Sequence, residues 1–345
     1  MTTIHRLSVD DAQGARAWDA FVDTCPQATF FHKSGWQHVI RENFKHETYF
    51  YFAEVNGQVA GVLPLANVTS LLFGKSLVSL PFAVYGGVAA NDESVAAALA
   101  EEAQRLARRL KVAHLEFRNI AQIGNDWPVQ DLYVTFRKAI VGDDEANLQA
   151  IPRKQRAMVR KGIKAGLTSA IESDVDAFFA LYADNVHRHG TPAFAKKYFQ
   201  SLARRFGQDC DILLVRDAQH TPLSGVLSFY FRDEVLPYYA GDAVAARAVA
   251  ANDFKYWELM RHAAARRVRV FDFGRSKRGT GSFDFKKNWG FEPTPLHYQY
   301  CLYQRDSIPQ NNPSNKKFRL LIETWKKMPI QLANLIGPHI VRGLG

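Results

Sequence analysis

The chain repeats itself, and the repeat limits the fold more than any other feature. Residues 52–65 read FAEVNGQVAGVLPL and residues 214–229 read LVRDAQHTPLSGVLSF. Each is an apolar run, a polar turn and a second apolar run, which predicts strand, turn, strand twice over. Gly61-Val62-Leu63 matches Gly225-Val226-Leu227, and Leu80-Pro81-Phe82 matches Leu236-Pro237-Tyr238. Each copy continues with a polar, Ala-rich helical stretch, near 95–110 and 252–267, and then a short apolar strand, HLEFRN at 114–119 and VFDFGR at 270–275. The offset is 156 residues both for Pro81/Pro237 and for Glu116/Asp272. Upstream, FFHKSGWQ at 30–37 loosely matches AFAKKYFQ at 193–200.

Helices punctuating largely antiparallel strands predict a mixed α/β unit in each copy. A chain of 345 residues has room for two domains of about 150 residues. GDDE followed by Ile-Pro at 142–152 interrupts the apolar periodicity, so the expected domains are 1–148 and 149–305. Pro152 is expected to open the helix after the boundary, and Asn252 or Asp253 to cap the later Ala-rich helix. The polar segment DSIPQNNPSN at 306–315 begins a tail with Phe318, Leu321, Ile322 and Trp325 at i, i+3, i+4 and i+7. That spacing predicts an amphipathic helix stopped before Pro329. Lys316, Lys317, Arg319, Lys326 and Lys327 flank its apolar stripe, which either packs on the protein or rests on an anionic membrane surface.

No apolar run reaches the length of about 18 residues that a membrane span needs, and MTTIHRLSVDD lacks the order of a signal peptide. A cytoplasmic protein is expected. Cys25, Cys210 and Cys301 lie too far apart for a disulfide framework or a CxxC site, and are expected in the core. His187 and His189 have no third ligand at useful spacing, so no metal is expected. HExxH, GxSxG and GxxxxGK[ST] are absent.

The net charge of +10 is divided unevenly. Residues 1–150 hold 13 Lys+Arg and 17 Asp+Glu, and residues 151–345 hold 31 and 17, so the basic excess lies in the second part. A field of that sign concentrates anionic partners: nucleic acid, nucleotide-linked precursors, acyl-CoA or anionic lipid headgroups. Two segments carry it. IPRKQRAMVRKGIKAG at 151–166 holds Arg153, Lys154, Arg156, Arg160, Lys161 and Lys164 and no acid. On a helix Arg153, Arg156, Arg160 and Lys164 share a face about 80° wide. They repel one another there unless acids from elsewhere or a docked anion intervene. FDFGRSKRGTGSFDFKKNWGF at 271–291 places Arg275, Lys277, Arg278 and two glycines after a strand, which suits close backbone approach to an anion. Lys286 follows between Phe285 and Trp289, where partial desolvation would strengthen its pull on a developing oxyanion. Asp284 shares a face with Lys286 only if that stretch is extended. Tyr238, Tyr239, Tyr298 and Tyr300 suit core or pocket-wall positions.

Together, the duplicated unit, the basic helix PRKQRAMVRKGIKAG and the late FDFGR…GTGSFDFKKNWGF segment resemble the FemAB-type family. The likeness extends to LPLANVTSLLFGKSLVSLPFAVYGG at 63–87 and to the closing WKKMPIQLANLIGPHIVRGLG. The nearest likeness is to FemAB-related proteins associated with exosortase (PEP-CTERM) and exopolysaccharide gene sets. The resemblance implies two tandem GNAT-like (acetyltransferase-type) domains followed by the tail helix. It implies acyl or aminoacyl transfer to an amine of an anionic cell-envelope or exopolysaccharide precursor, nucleotide- or lipid-linked. It puts Phe285 and Lys286 at the site of transfer and Trp289 in the pattern after them. It puts Lys33, Trp36 and Arg188 near the precursor. On their charge, Arg156, Arg160, Lys161, Arg275, Lys277 and Arg278 are expected to bind its phosphates, and Trp289 and Tyr239 are expected to complete the substrate-binding set. No tightly bound cofactor is implied. The donor is acyl-CoA or aminoacyl-tRNA, with neither the tRNA-contacting helical insertion nor a Q/R-x-x-G-x-G/A pyrophosphate loop recognisable. tRNA and an anionic membrane are candidate partners, and DNA is not. A different class fits the same charge: a non-catalytic RNA- or polysaccharide-binding protein on a degenerate GNAT scaffold.

Overall fold

The computed structural model describes residues 2–70, 74–124, 126–309 and 316–344, without the side chains of 316–320. Two compact units emerge: Met1–Tyr133 with Pro295–Gln310 and Arg342–Gly345, and Val134–Thr294 with Asn311–Val341. The division falls before the expected 148/149, because residues 133–139, inside the first expected domain, form a strand that pairs in the second sheet. The tail helices belong to the second unit. Of the polar segment before them, residues 310–315 lie outside the described residues.

The first unit begins β1 (Thr2–Arg6), α1 (Ala12–Thr24), α2 (Gly35–Phe44), β2 (Glu47–Val55), β3 (Gln58–Ser70), β4 (Gly74–Ser79) and β5 (Ala89–Ala90). It continues with α3 (Glu93–Leu110), β6 (His114–Asn119) and β7 (Val129–Gln130). Asn56 and Gly57, both at positive φ, turn β2 into β3, the geometry that matches the twist of a tight hairpin. Asp92 caps α3 by accepting from the Val95 amide at 2.9 Å. One core packs α3 through Val95, Leu99, Ala103 and Leu106 onto Tyr49, Tyr51, Leu63 and Leu65 of the sheet.

The second unit runs β8 (Tyr133–Ala139), α4 (Asp144–Gln149), α5 (Arg153–Lys164), β9 (Thr168–Glu172), α6 (Val175–Arg188), α7 (Lys196–Phe206) and β10 (Cys210–Arg216). Then come β11 (Pro222–Phe231), β12 (Glu234–Asp242), α8 (Ala251–Ala265), β13 (Val270–Asp272), β14 (Ser276–Lys277), α9 (Gly281–Asn288) and β15 (Pro293–Pro295). β16 (His297–Leu302) returns to the first sheet, which is ordered β1-β2-β3-β4-β6-β16-β7 with β5 on β3. The second sheet is ordered β14-β8-β13-β12-β11-β10-β9 with β15 on β8. The tail forms α10 (Lys316–Lys327) and α11 (Ile330–Val341).

The second sheet separates two helical layers. Leu213, Val215 and Val226 share a core with Phe254, Trp257, Leu259 and Met260 of α8. On the other face Gly241 lets α6 approach so closely that a Cβ there would lie 2.4 Å from the Tyr182 amide nitrogen. The tail joins this α6 layer: His187 Nε2 lies 3.0 Å from the Trp325 carbonyl oxygen, and Gly337 packs on the Ala193 backbone. Of the expected amphipathic stripe, Trp325 is buried, Ile322 half-buried and Leu321 exposed; the Phe318 side chain lies outside the description. Among the described residues no helix is long and apolar enough to cross a membrane.

Candidate functional site

β12 and β13 run parallel but pair only at Glu234/Val270 and Val235/Phe271. Beyond that β12 continues to Asp242 while β13 ends at Asp272, so the two strands part. The chain turns at 272–275, and this turn is held from both sides. The buried Asp272 carboxylate accepts from the Gly274 amide at 2.7 Å and from Thr135 Oγ1 at 3.1 Å, with Arg137 Nε at 3.5 Å. Gly274 has φ +65°, a conformation glycine adopts without steric cost. From the other side Lys286 Nζ donates to the carbonyl oxygens of Phe273, Gly274 and Arg275 at 2.7, 2.9 and 3.1 Å.

Those three bonds occupy all three ammonium hydrogens. Burial pushes Lys286 down to about 7 against the opposing pull of Asp272, and Arg275 adds to the depression. Phe285 stands beside it, half-buried, its ring 5.6 Å from Tyr256 and 6.0 Å from Trp289. Because the segment is helical, Asp284 and Lys286 lie about 200° apart around α9, with Asp284 exposed and Lys286 buried. Asp284 is therefore not a partner of Lys286.

Three aromatic residues of the expected binding set are core residues instead. Trp36 is 0% exposed, and its indole donates to the Phe30 carbonyl at 3.2 Å. Trp289 is 0% exposed and donates to Asp253 Oδ1 at 3.0 Å. Tyr239 is buried with its hydroxyl 2.9 Å from that of Tyr198. Each polar tip already has a protein partner, and none presents a face to a ligand. Arg188 is held by Asp184, Asn185 and the Asp242 carbonyl, tying the end of α6 to the end of β12. Lys33 pairs with Asp23.

The basic helix is different. α5 packs Gln155, Val159 and Gly162 inward. Arg153, Lys154, Arg160, Lys161 and Lys164 are exposed and Arg156 is half-buried. No ion pair to an acid is found for any of the six among the described residues. Its N-terminal end adjoins α9, since Pro152 packs on Gly290 and Gln155 donates to the Asp253 carboxylate that also receives Trp289. Arg275 and Lys277 are half-buried and Arg278 exposed on the segment leading into α9. Gly279 and Gly281 face open space.

Several participants escaped sequence reasoning. Asp272 was visible only as a strand residue, although a carboxylate two residues before a Gly turn is a recurrent local acceptor. Asn252 and Asp253 do not cap α8; its N-cap is Ala250, at φ +56° and with no side-chain bond. Among the described residues no acceptor is found for the amides of residues 251–253, and the exposed Arg247 lies just before them. Unpaired first-turn amides carry a partial positive charge.

Residues 153–287 match the family model for the acetyltransferase (GNAT) domain. No curated protein matches the sequence significantly. Among solved structures, FemX resembles this chain at 14% identity with a TM-score of 0.68, covering 88% of this chain and 98% of its own. A tandem GNAT protein from the clavulanic acid biosynthesis pathway aligns at 12% identity and TM-score 0.55, covering 89% of this chain and 100% of its own. The C-terminal domain of a putative lysylphosphatidylglycerol synthetase from Agrobacterium fabrum aligns at 14% and 0.57, covering 85% and 92%. At these identities the likeness is one of fold: two GNAT-like domains in tandem. The chain carries an acyltransferase domain of GNAT type in its second unit.

Proposed function

We propose that this protein transfers an acyl or aminoacyl group to an amine of an anionic precursor of the cell envelope or of an exopolysaccharide. The observation that carries the anionic substrate is α5, whose six cations have no acidic partner among the described residues. Four cations on one face repel one another, and phosphate oxygens docked between them would relieve that repulsion through charge-assisted bonds. Arg156, Arg160, Lys161, Arg275, Lys277 and Arg278 form the phosphate-binding set of this reading.

In the reaction the acceptor nitrogen attacks the acyl carbonyl carbon, the C–N bond forms, and the bond from that carbon to the donor sulfur or oxygen breaks. The proton released by nitrogen goes to the leaving group or to solvent. Proximity supplies much of the rate. Lys286 touches the developing oxyanion only by exchanging one of its three carbonyl acceptors, so it both shapes the 272–275 turn and acts beside Phe285 at the transfer site. The donor is acyl-CoA or aminoacyl-tRNA. The parting of β12 and β13 beside the amides of residues 251–253, for which no acceptor is found among the described residues, favours a phosphate-bearing thioester.

Small molecules retained by the full chain at low salt, released and identified by mass spectrometry, test the reading. CoA thioesters, aminoacyl-tRNA or a nucleotide-linked precursor support it. Recovery of RNA without turnover of any acyl donor would replace it with a binding function.

A further inference from the structure

α11 is apolar around most of its circumference, yet the described residues cover only one side of it. Its sequence, IQLANLIGPHIV, holds no Lys, Arg, Asp or Glu. Ala333, Gly337 and Val341 face inward. Leu332 and Leu335, 43% and 68% exposed, stand three residues apart on the outward side, where His339 is also exposed. A helix apolar all round is normally enclosed by protein or lipid. At twelve residues, about 18 Å, α11 is too short to span a bilayer.

The preceding helix supplies the complementary charge. α10 carries Lys316, Lys317, Arg319, Lys326 and Lys327 against a single acid, Glu323. Glu323 pairs with Lys326 at 3.1 Å, and Lys327 has no acidic partner among the described residues. Leu321 of the same helix is 64% exposed. A second copy of the chain is a poor cover for this surface, because two such basic helices would repel each other. We propose that α10 and α11 form a docking surface for an anionic lipid bilayer. The outward leucines enter the headgroup boundary, and Lys326 and Lys327 of α10 meet the lipid phosphates. This surface lies in the α6 layer, whereas α5 lies against α8 on the opposite face of the second sheet. Bilayer docking and anion binding by α5 are therefore separable by substitution.

The test is cosedimentation of the full chain with vesicles of phosphatidylcholine alone, or of phosphatidylcholine mixed with phosphatidylglycerol. The chain binds the mixed vesicles, more weakly as salt rises. Leu332→Ser combined with Leu335→Ser lowers that partitioning at least about tenfold without moving the thermal midpoint. Arg160→Gln combined with Lys161→Gln on α5 leaves it within about twofold. Four outcomes overturn the proposal: no binding to mixed vesicles, equal binding to phosphatidylcholine alone, full binding by the leucine variant, or loss of binding in the α5 variant. So does a chain that self-associates in solution and becomes monomeric when the two leucines are replaced, which makes the surface an interface between copies.

Discussion

Lys286 lies 2.7 Å from the carbonyl oxygen of Phe273, and this bond joins α9 to the turn that follows β13. The same ammonium reaches the carbonyls of Gly274 and Arg275. Asp272 holds the turn from the opposite side. A buried lysine in this position couples the shape of the site to pH. Its folded value of about 7 lies below the ordinary 10.5. Between those values the unfolded chain binds more protons, so this group makes stability rise as pH increases from about 7 towards 10.5, with no change below 7. The slope is of the order of 1 kcal/mol per pH unit at most. Lys286→Met removes that rise. Urea unfolding of both proteins at neutral and alkaline pH measures it. Parallel pH dependence in wild type and variant would show that the ammonium is not desolvated in solution.

The same variant separates two roles for Lys286. With Lys286→Met the three carbonyls lose their donor, at about 1–3 kcal/mol for each buried group left unpaired. Lys286→Arg retains a cation that can reach some of them. Acyl transfer lost in Lys286→Met and largely restored in Lys286→Arg, in step with thermal midpoint, identifies a positioning residue. Transfer lost equally in both, with the midpoint restored by arginine, identifies contact with the reacting atoms. Steady-state turnover and calorimetry on the two variants decide between them.

The α5 cations give a prediction of opposite character. They are exposed or half-buried and have no acidic partner among the described residues, so Arg156→Glu, Arg160→Glu and Lys161→Glu together leave the fold intact, with stability changed by less than about 1 kcal/mol. Affinity for a phosphate-bearing ligand falls at least about tenfold, and its salt dependence flattens as phosphate contacts are lost. Titration of CoA or of a nucleotide at two salt concentrations reads both effects. An unaltered affinity would mean that the anion binds elsewhere.

The order of elements was legible in the sequence because strands, turn residues and the Ala-rich helices recur in both copies. The register was not. Gly61 faces α3, whereas Gly225 faces α6, so the two glycines lie on non-equivalent sides of their sheets. Irregularities at Ala53/Glu54 and Leu227/Ser228 displace the strands by a residue, and a one-residue shift reverses every side chain. Pro81 follows β4, whereas Pro237 lies within β12, so that match is one of composition. At the site, the basic helix and the glycine-rich approach to α9 stood out because charge and glycine are local signals. Burial is not. Nothing local distinguishes Trp289, which closes on Asp253 across 36 residues, from a tryptophan facing a ligand. The helical state of the residues around Lys286 likewise follows from packing of Phe283 and Phe285 on the second core rather than from periodicity over so short a segment.

The Trp289–Asp253 bond makes a further prediction. Burial raises the Asp253 carboxyl above its ordinary range, while Trp289 and Gln155 act to lower it. Trp289→Phe removes one of these donors from a buried acid and costs about 1–3 kcal/mol. In an Asp253→Asn background the same substitution costs less, because a neutral amide loses less than a carboxylate when a donor is withdrawn. A double-mutant cycle by chemical denaturation measures the coupling. Additive costs would mean that the indole contributes only its packing.

Two glycines of the second unit respond to alanine in opposite ways, and the contrast tests the site. At Gly241 a new methyl group would meet the Leu181 and Tyr182 backbone of α6 at 2.4–2.5 Å. Backbone cannot step aside as a flexible side chain can, so Gly241→Ala separates helix from sheet and costs more than about 2 kcal/mol. Gly281 opens α9 and has nothing within 4 Å of the added group. Alanine is the better helix former by up to about 1 kcal/mol, so Gly281→Ala leaves the thermal midpoint equal or higher. If a substrate phosphate approaches the backbone at the start of α9, the added methyl blocks it, and Gly281→Ala loses transfer while gaining stability. Wild-type turnover by this variant would remove the Gly279–Gly281 segment from the binding surface and leave α5 and the start of α8 to hold the anion.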